Sequence, residues 1–366
     1  MYLYSQRGKD DSYLDAIVNN ETYLQMCSDS NDKIVDLMVM YYGANGRPKY
    51  TKEELKSYVF RYNDSGKFEW LFDGFLFLED RTEVDLVEKG YAFEQNAYLF
   101  QKHRARKQEW MWLLDRTFDP NEGLSALNDL ISEFSAIEKP PLRKRKVILS
   151  LPEPLSGQLD WGQLNNKTLD FANDSDRVKA VKWYVDELIS RFNIKNFKNL
   201  ELSGFYWFRT NDELSFQLMP EIASYIHSKG YKFYWRPSYG RFRGSAWKSY
   251  GFDAAYLTPD HLTTSWFKKI NVVRACTYAS EYSMGLEIDL NKLVKQYGNY
   301  RTKFEDYMNV YKDSNVFDKA AMSYQDGDGI FYEMSKTSNG ELNNIYNRIL
   351  NEVVIRQKIA DLECMK

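Results

Sequence analysis

The chain has 366 residues, 43% hydrophobic and 28% charged, a composition that supports a large core and excludes an intrinsically disordered protein. Its 49 basic and 52 acidic residues are interspersed and sum to a formal charge of −3, so there is no electrostatic footprint for nucleic acid or anionic lipid. No run of about 18 apolar residues occurs, which excludes a transmembrane helix of the usual kind.

Three cysteines (Cys27, Cys276, Cys364) lie far apart with no CxxC, and three histidines (His103, His227, His261) show no metal-ligand spacing. Neither a disulfide framework, nor a metal centre, nor a cofactor is expected. Aromatic residues reach 16% of the chain, which suits both a packed core and sugar platforms, since pyranose C–H faces pack on aromatic rings. The basic runs "KHRARK" (102–107) and "LRKRK" (142–146) read as solvated faces or helix ends.

Residues 1–33, containing "DDSYLDAIVNNETYLQMC", form a short helical extension in this reading, bracing a barrel domain at 34–366. The first residues lack a basic-then-apolar export pattern; a leader already trimmed from the chain would imply export to the periplasm or cell surface, so the compartment stays open. Strand-like runs follow at 34–43, 71–79, 146–152, 199–208, 232–237, 252–259, 284–290 and 327–334. Helical patterns alternate with them at 51–60, where Thr51 and Glu54 are spaced as a capping box, then at 83–116, 121–137, 175–192, 216–229, 260–282, 298–312 and 339–361. Eight such units predict an α/β fold, a closed (β/α)8 TIM barrel. No Gly-rich fingerprint follows the first strand to suggest a dinucleotide site.

In such a barrel chemistry sits at the C-terminal ends of the strands, and side chains alternate between lumen and helices. In "MGLEIDL" Leu286, Ile288 and Leu290 face the helices, so Gly285, Glu287 and Asp289 point inward, either into a buried ion pair or into catalysis. "LFDGFLFLE" puts Asp73, Phe75, Phe77 and Glu79 on one face, with Glu79 at the mouth and Asp73 near the floor in a structural role. In "NLELSGFYWF" Leu200 and Leu202 face the helices, which turns Glu201, Ser203, Phe205 and Trp207 inward with Trp207 at the mouth. Asp212 and Glu213 follow on the loop, as a helix cap or as an acid. The fifth unit offers Trp235, Arg236 and Tyr239 for substrate binding, and Tyr42 at the end of the first strand joins them. Asp260 and His261 stand on the sixth loop, Asp260 as a helix cap.

Taken in order, "IVDLMVMYYG", "FDGFLFLE", "LSGFYWF", "GYKFYWRPSYG", "YGFDAAYLTPDHL" and "GLEIDL" resemble the bacterial domain-of-unknown-function family 4855 over roughly residues 34–335. The resemblance implies a glycoside hydrolase-like TIM barrel, with a Glu just after the block matched by "GFYW" and another in the block matched by Glu287. This chain departs at the first place, where Arg209 and Thr210 stand. The expectation is therefore a hydrolase acting on a poly- or oligosaccharide. Glu287 would be nucleophile or base, Asp212 or Glu213 the acid, Glu79 and Asp289 would tune the site or bind substrate, and Trp207, Trp235 and Tyr239 would be platforms. The alternatives are a carbohydrate-binding barrel without catalysis and a structural module.

Overall fold

A computed structural model describes residues 23–85, 90–208, 213–240, 243–264, 266–292 and 298–364. Eight parallel strands close into a barrel: β1 Asp36–Tyr41, β2 Gly74–Leu78, β3 Arg145–Ser150, β4 Leu200–Trp207, β5 Lys232–Trp235, β6 Ala254–Leu257, β7 Gly285–Leu290 and β8 Met322–Asp326. Each strand pairs with its neighbours in chain order, and β8 closes on β1 with Asp36 opposite Met322. The capping box at Thr51 forms, its amide donating to Glu54 at 2.8 Å, and starts the helix Lys52–Val59.

Side-chain alternation divides the core into two layers. Leu37, Val39, Leu76, Leu78, Ile148, Tyr206, Tyr234, Ala254 and Tyr256 pack together inside the barrel. Met38, Met40, Phe75, Phe77, Val147, Leu149, Phe205, Trp207, Phe233, Trp235, Leu286 and Ile288 belong to the layer shared with the helices. The expected alternation therefore holds on β7 but fails on β4.

The cause on β4 is a bulge. Leu202 pairs with Val147, yet Gly204 rather than Ser203 pairs with Ile148, so Ser203 is an extra residue and the parity inverts beyond it. Ser203 and Tyr234 still meet inside the barrel through their hydroxyls at 2.5 Å. Tyr206 then points inward, while Phe205 and Trp207 turn to the helices. A Cβ on Gly204 would stand 2.0 Å from the Lys232 carbonyl oxygen, so only glycine fits this close approach of β4 to β5.

Three expected elements move. The apolar run at 327–334 is not a strand: Ile330–Lys336 is helical, and the eighth strand is "MSYQD", whose Ser323 and Gln325 break the apolar pattern because the lumen there is polar. The helix expected over 83–116 is confined, in its described part, to Gln95–Tyr98 and Lys107–Thr117, with the extended piece Tyr91–Ala92 before the first and His103–Arg104 between them. The sixth-loop helix starts only at Lys269, so Asp260, with φ 53°, belongs to a turn and does not cap it.

The barrel floor is sealed by residues 24–34. Leu24 donates its amide to the Met284 carbonyl at 3.1 Å and accepts from Ala321 at 2.7 Å, and Leu24 and Ile34 plug the lumen from below. Against expectation, Cys27 and Cys364 form a disulfide across a separation of 337 residues. The pairing is hidden in the sequence because only barrel closure brings the floor segment beside the end of the C-terminal helix, Gly340–Glu363. Cys276 is a buried free thiol.

Candidate site at the barrel mouth

β7 delivers Glu287 into the centre of the lumen, where it is fully buried. Arg236, one residue past β5 and 1% exposed, grips both carboxylate oxygens: Nε donates to Oε2 at 2.6 Å and Nη2 to Oε1 at 2.7 Å. Nη2 also donates to Gln325 at 2.8 Å, and Ser323 donates to Glu287 Oε2 at 2.9 Å. The guanidinium lies over the Tyr206 ring at 5.8 Å. A bidentate pair of this kind offsets the desolvation of both charges only because every partner is fixed in place.

Asp289, two residues nearer the mouth, is also buried, but neutral groups bond it. Tyr307 donates to Oδ1, while the Thr263 amide and hydroxyl donate to Oδ2 at 3.2 and 3.1 Å. Burial, with the charges of Asp260 and Glu287 added, pushes its pKa up to about 7, although the Tyr307 and Thr263 bonds pull the other way. Beside it His261 Nε2 donates to Asp306 at 3.0 Å, and burial holds its pKa below the usual histidine range.

A second group of charges caps the ends of β1, β2 and β8. Arg47 lies 4.7 Å over the Tyr41 ring and donates to Glu79 at 3.2 Å, to Asp80 at 3.1 Å and to Asp328 at 2.5 Å. Glu79 also accepts the Ala44 amide at 3.0 Å, so it ties the first loop to the second. Burial pushes Glu79 up to about 7 against the pull of Arg47; burial opposes it in Asp80 too, yet Arg81 and Arg47 hold that carboxyl below its usual value.

A third group stands over β2 and β3. Glu94 caps the helix Gln95–Tyr98, accepting the amides of Asn96, at 2.8 Å, and Ala97. Burial and the charges of Asp80 and Glu153 push it up to about 8, with the donated amides working against them. Glu153, just past β3, accepts from Ser215 and from the Gln95 amide at 2.8 Å, and Arg177 donates to Ser215 at 3.0 Å.

Of the residues expected from the sequence, the lumen and mouth gather Glu287, Asp289, Arg236 and Glu79, with half-buried Tyr239 beside them, its amide bonded to the Thr258 carbonyl. Trp207 and Trp235 are not there: the bulge turns Trp207 to the helix side, alternation on β5 with Tyr234 and Arg236 inward turns Trp235 the same way, and they are 0% and 3% exposed. Tyr42 is likewise on the helix side, its hydroxyl donating to the Arg116 carbonyl at 2.7 Å and its ring edge-on to Phe77. Asp212 lies outside the described residues; Glu213 opens the helix Glu213–Phe216, and its side chain lies outside them too.

Arg47, Glu94, Glu153 and Trp266 were not picked out from the sequence. Glu153 could have been found as the acid directly after the third strand run. Arg47 sits in turn-like "NGRPK", and Glu94 and Trp266 were absorbed into overlong helices. Trp266 is 78% exposed on the loop from β6 to the helix Lys269–Glu281, at the mouth end. Among the described residues no cluster of His, Cys, Asp and Glu could hold a metal ion.

The closed parallel sheet wrapped by helices makes this protein a TIM barrel. It belongs to the family described as Domain of unknown function (DUF4855), whose profile matches residues 36–351. No curated protein matches the sequence. Similar solved structures include the GH18 chitinase ChiB from the chitin utilization locus of Flavobacterium johnsoniae, at 9% identity, TM-score 0.43, and coverage of 86% of this chain and 93% of that one. A mutant tryptophan synthase alpha-subunit from Pyrococcus furiosus aligns at 10% identity and TM-score 0.38, covering 88% and 97%. The tryptophan synthase alpha subunit of Legionella pneumophila gives 9%, 0.37, and 96% and 97%. At these scores the likenesses carry no information on activity.

Proposed function

We propose that the barrel mouth binds a carbohydrate and that Glu287 is a positioning residue beneath it, not a nucleophile. The observation that carries this reading is the clamp on Glu287: both of its oxygens are bonded to Arg236 and its side chain is closed to solvent, away from a sugar at the mouth. The loops past the strand ends carry polar groups suited to hydroxyls, among them Asp80 and Asp328, both held by Arg47, and Asp260. Trp266 is an exposed ring on the same rim.

Glycoside hydrolysis is the second reading, and one observation favours it. A carboxyl whose pKa is near 7 is half protonated at neutral pH, the condition a general acid requires, and Asp289 has it with Asp260 nearby. The two readings separate when the protein is incubated with a panel of polysaccharides while bound protein and new reducing ends are measured together. Binding without reducing ends supports the first reading. Release that falls by about a hundredfold or more in Asp289→Asn supports the second. Neither binding nor release would remove carbohydrate from the account.

A further inference from the structure

A cavity of about 400 Å3 opens at the opposite, N-terminal end of the barrel, within the size range of small-molecule pockets. Three elements form it: the hairpin Phe60–Tyr62 with Phe68–Trp70, the turn Glu138–Leu142 that leads into β3, and the last turns of the C-terminal helix. Phe68, Trp70, Pro140, Pro141 and Val354 give it apolar walls. Trp70 is fixed edge-on to Phe68, and its indole donates to the Lys139 carbonyl at 2.9 Å.

The first residue of β3, Arg145, lines this cavity while only 3% exposed. Its guanidinium stands 5.7 Å over the Trp70 ring, its Nε has no hydrogen-bond partner, and no carboxylate forms an ion pair with it among the described residues. The nearest acids are committed elsewhere. Asp73 accepts from Arg143 at 3.1 Å and from the amides of Val35 and Asp36, and Asp361 pairs with Arg143 at 3.6 Å. Of the other charges on the cavity, Lys358 is taken by Glu69 at 2.9 Å and Glu138 accepts from Tyr62 at 3.0 Å. A buried cation without a counter-charge is costly, and burial accordingly pulls the Arg145 pKa down to about 10.

We propose that this cavity binds a small organic carboxylate with an aromatic or alicyclic body, its carboxylate taken by the outer nitrogens of Arg145 and its ring packed on Trp70 and Phe68. A guanidinium fork matches a carboxylate, and Arg145 is the buried cation of the cavity, the lining Lys67 and Lys139 being exposed, so one fork against apolar walls suits a monoanion better than a phosphate, which needs more donors. The site is independent of the barrel mouth, which lies at the other end of the strands.

The test is calorimetric titration of the full chain with benzoate, and with benzyl alcohol as the neutral isostere. Saturable 1:1 binding of benzoate, absence of binding by the alcohol, and a loss of at least about tenfold in affinity in Arg145→Met are expected. Arg145→Lys, which keeps the charge and loses the fork, should fall in between. Should Arg145→Met fail to fold, Trp70→Leu leaves the arginine in place and removes the platform; its affinity must also drop. Absence of benzoate binding to the wild type, or affinity unchanged in the folded variants, overturns the proposal and leaves Arg145 as a strut stacked on Trp70.

Discussion

Two buried arginine–carboxylate pairs stand at different heights in this barrel, and their other partners set them apart. At the floor, Arg356 of the C-terminal helix bonds Asp36 at 2.7 Å, with side-chain exposures of 1% and 0%. In the lumen, Arg236 bonds Glu287 at 2.6 Å with the same exposures. Arg356 spends its remaining donors on backbone carbonyls: Val35 at 3.0 Å, Ala320 at 2.8 Å, and Phe317. Gln357 and Tyr324 add bonds to Asp36, so the floor pair holds the entry to β1, the entry to β8 and the last helix together. Arg236 bonds the side chains of Glu287 and Gln325. Replacing a cation that satisfies backbone carbonyls by an apolar residue orphans them, a cost that adds to the loss of the pair itself.

The largest expected effect is therefore at the floor. Arg356→Met leaves Asp36 uncompensated and the Phe317 and Ala320 carbonyls without a donor, and should cost about 3–5 kcal/mol or more. Adding Asp36→Leu should not restore stability, because the Phe317 and Ala320 carbonyls stay unsatisfied at about 1–3 kcal/mol each, while Val35 keeps the Met322 amide. Chemical denaturation of both variants checks this, and full rescue by the second substitution would erase the contrast.

In the lumen, Glu287→Leu alone should cost about 3–5 kcal/mol by leaving Arg236 buried and unpaired. The double variant Arg236→Met/Glu287→Leu should return to within about 2 kcal/mol of the wild type. The same denaturation curves read this out, and a double variant as unstable as the single one would make the two pairs equivalent.

Asp289 gives a smaller effect that depends on pH. Its folded pKa of about 7 lies above the unfolded carboxylate value, so the folded chain binds the proton more tightly. The resulting stabilisation is fully present below about pH 4 and is lost as pH rises through 7, at on the order of 1 kcal/mol per pH unit. Relative to Asp289→Asn, the wild type should lose stability across that window in thermal melts at a series of pH values; parallel curves would mean that Asp289 titrates normally. The smallest structural change is expected from Trp266→Ala, within about 0.5 kcal/mol in stability because the ring is exposed, yet with carbohydrate retention in affinity electrophoresis reduced several-fold.

Much of this architecture is legible in the sequence. Seven of the eight strand runs coincide with barrel strands, and the inward placement of Glu287 and Asp289 follows from simple alternation because β7 is regular. Alternation misplaces Trp207 because one extra residue, Ser203, inverts the parity, and nothing local marks it except Gly204, whose need for close approach to Lys232 is a tertiary fact. The eighth strand escapes because its inward residues serve a polar lumen, so the hydrophobic pattern that betrays a strand is absent. The Arg236 clamp was foreseeable only as one option among several, since which of the 49 basic residues faces Glu287 depends on the closure of the whole sheet.

The most direct test of the central claim is glycan binding and turnover by the Arg236→Met/Glu287→Leu variant beside the wild type, on a polysaccharide that the wild type retains. If Glu287 only positions its neighbours, the folded double variant keeps its affinity within about threefold, a change below 1 kcal/mol. A folded variant that loses a turnover the wild type displays would contradict the account and return Glu287 to the chemistry.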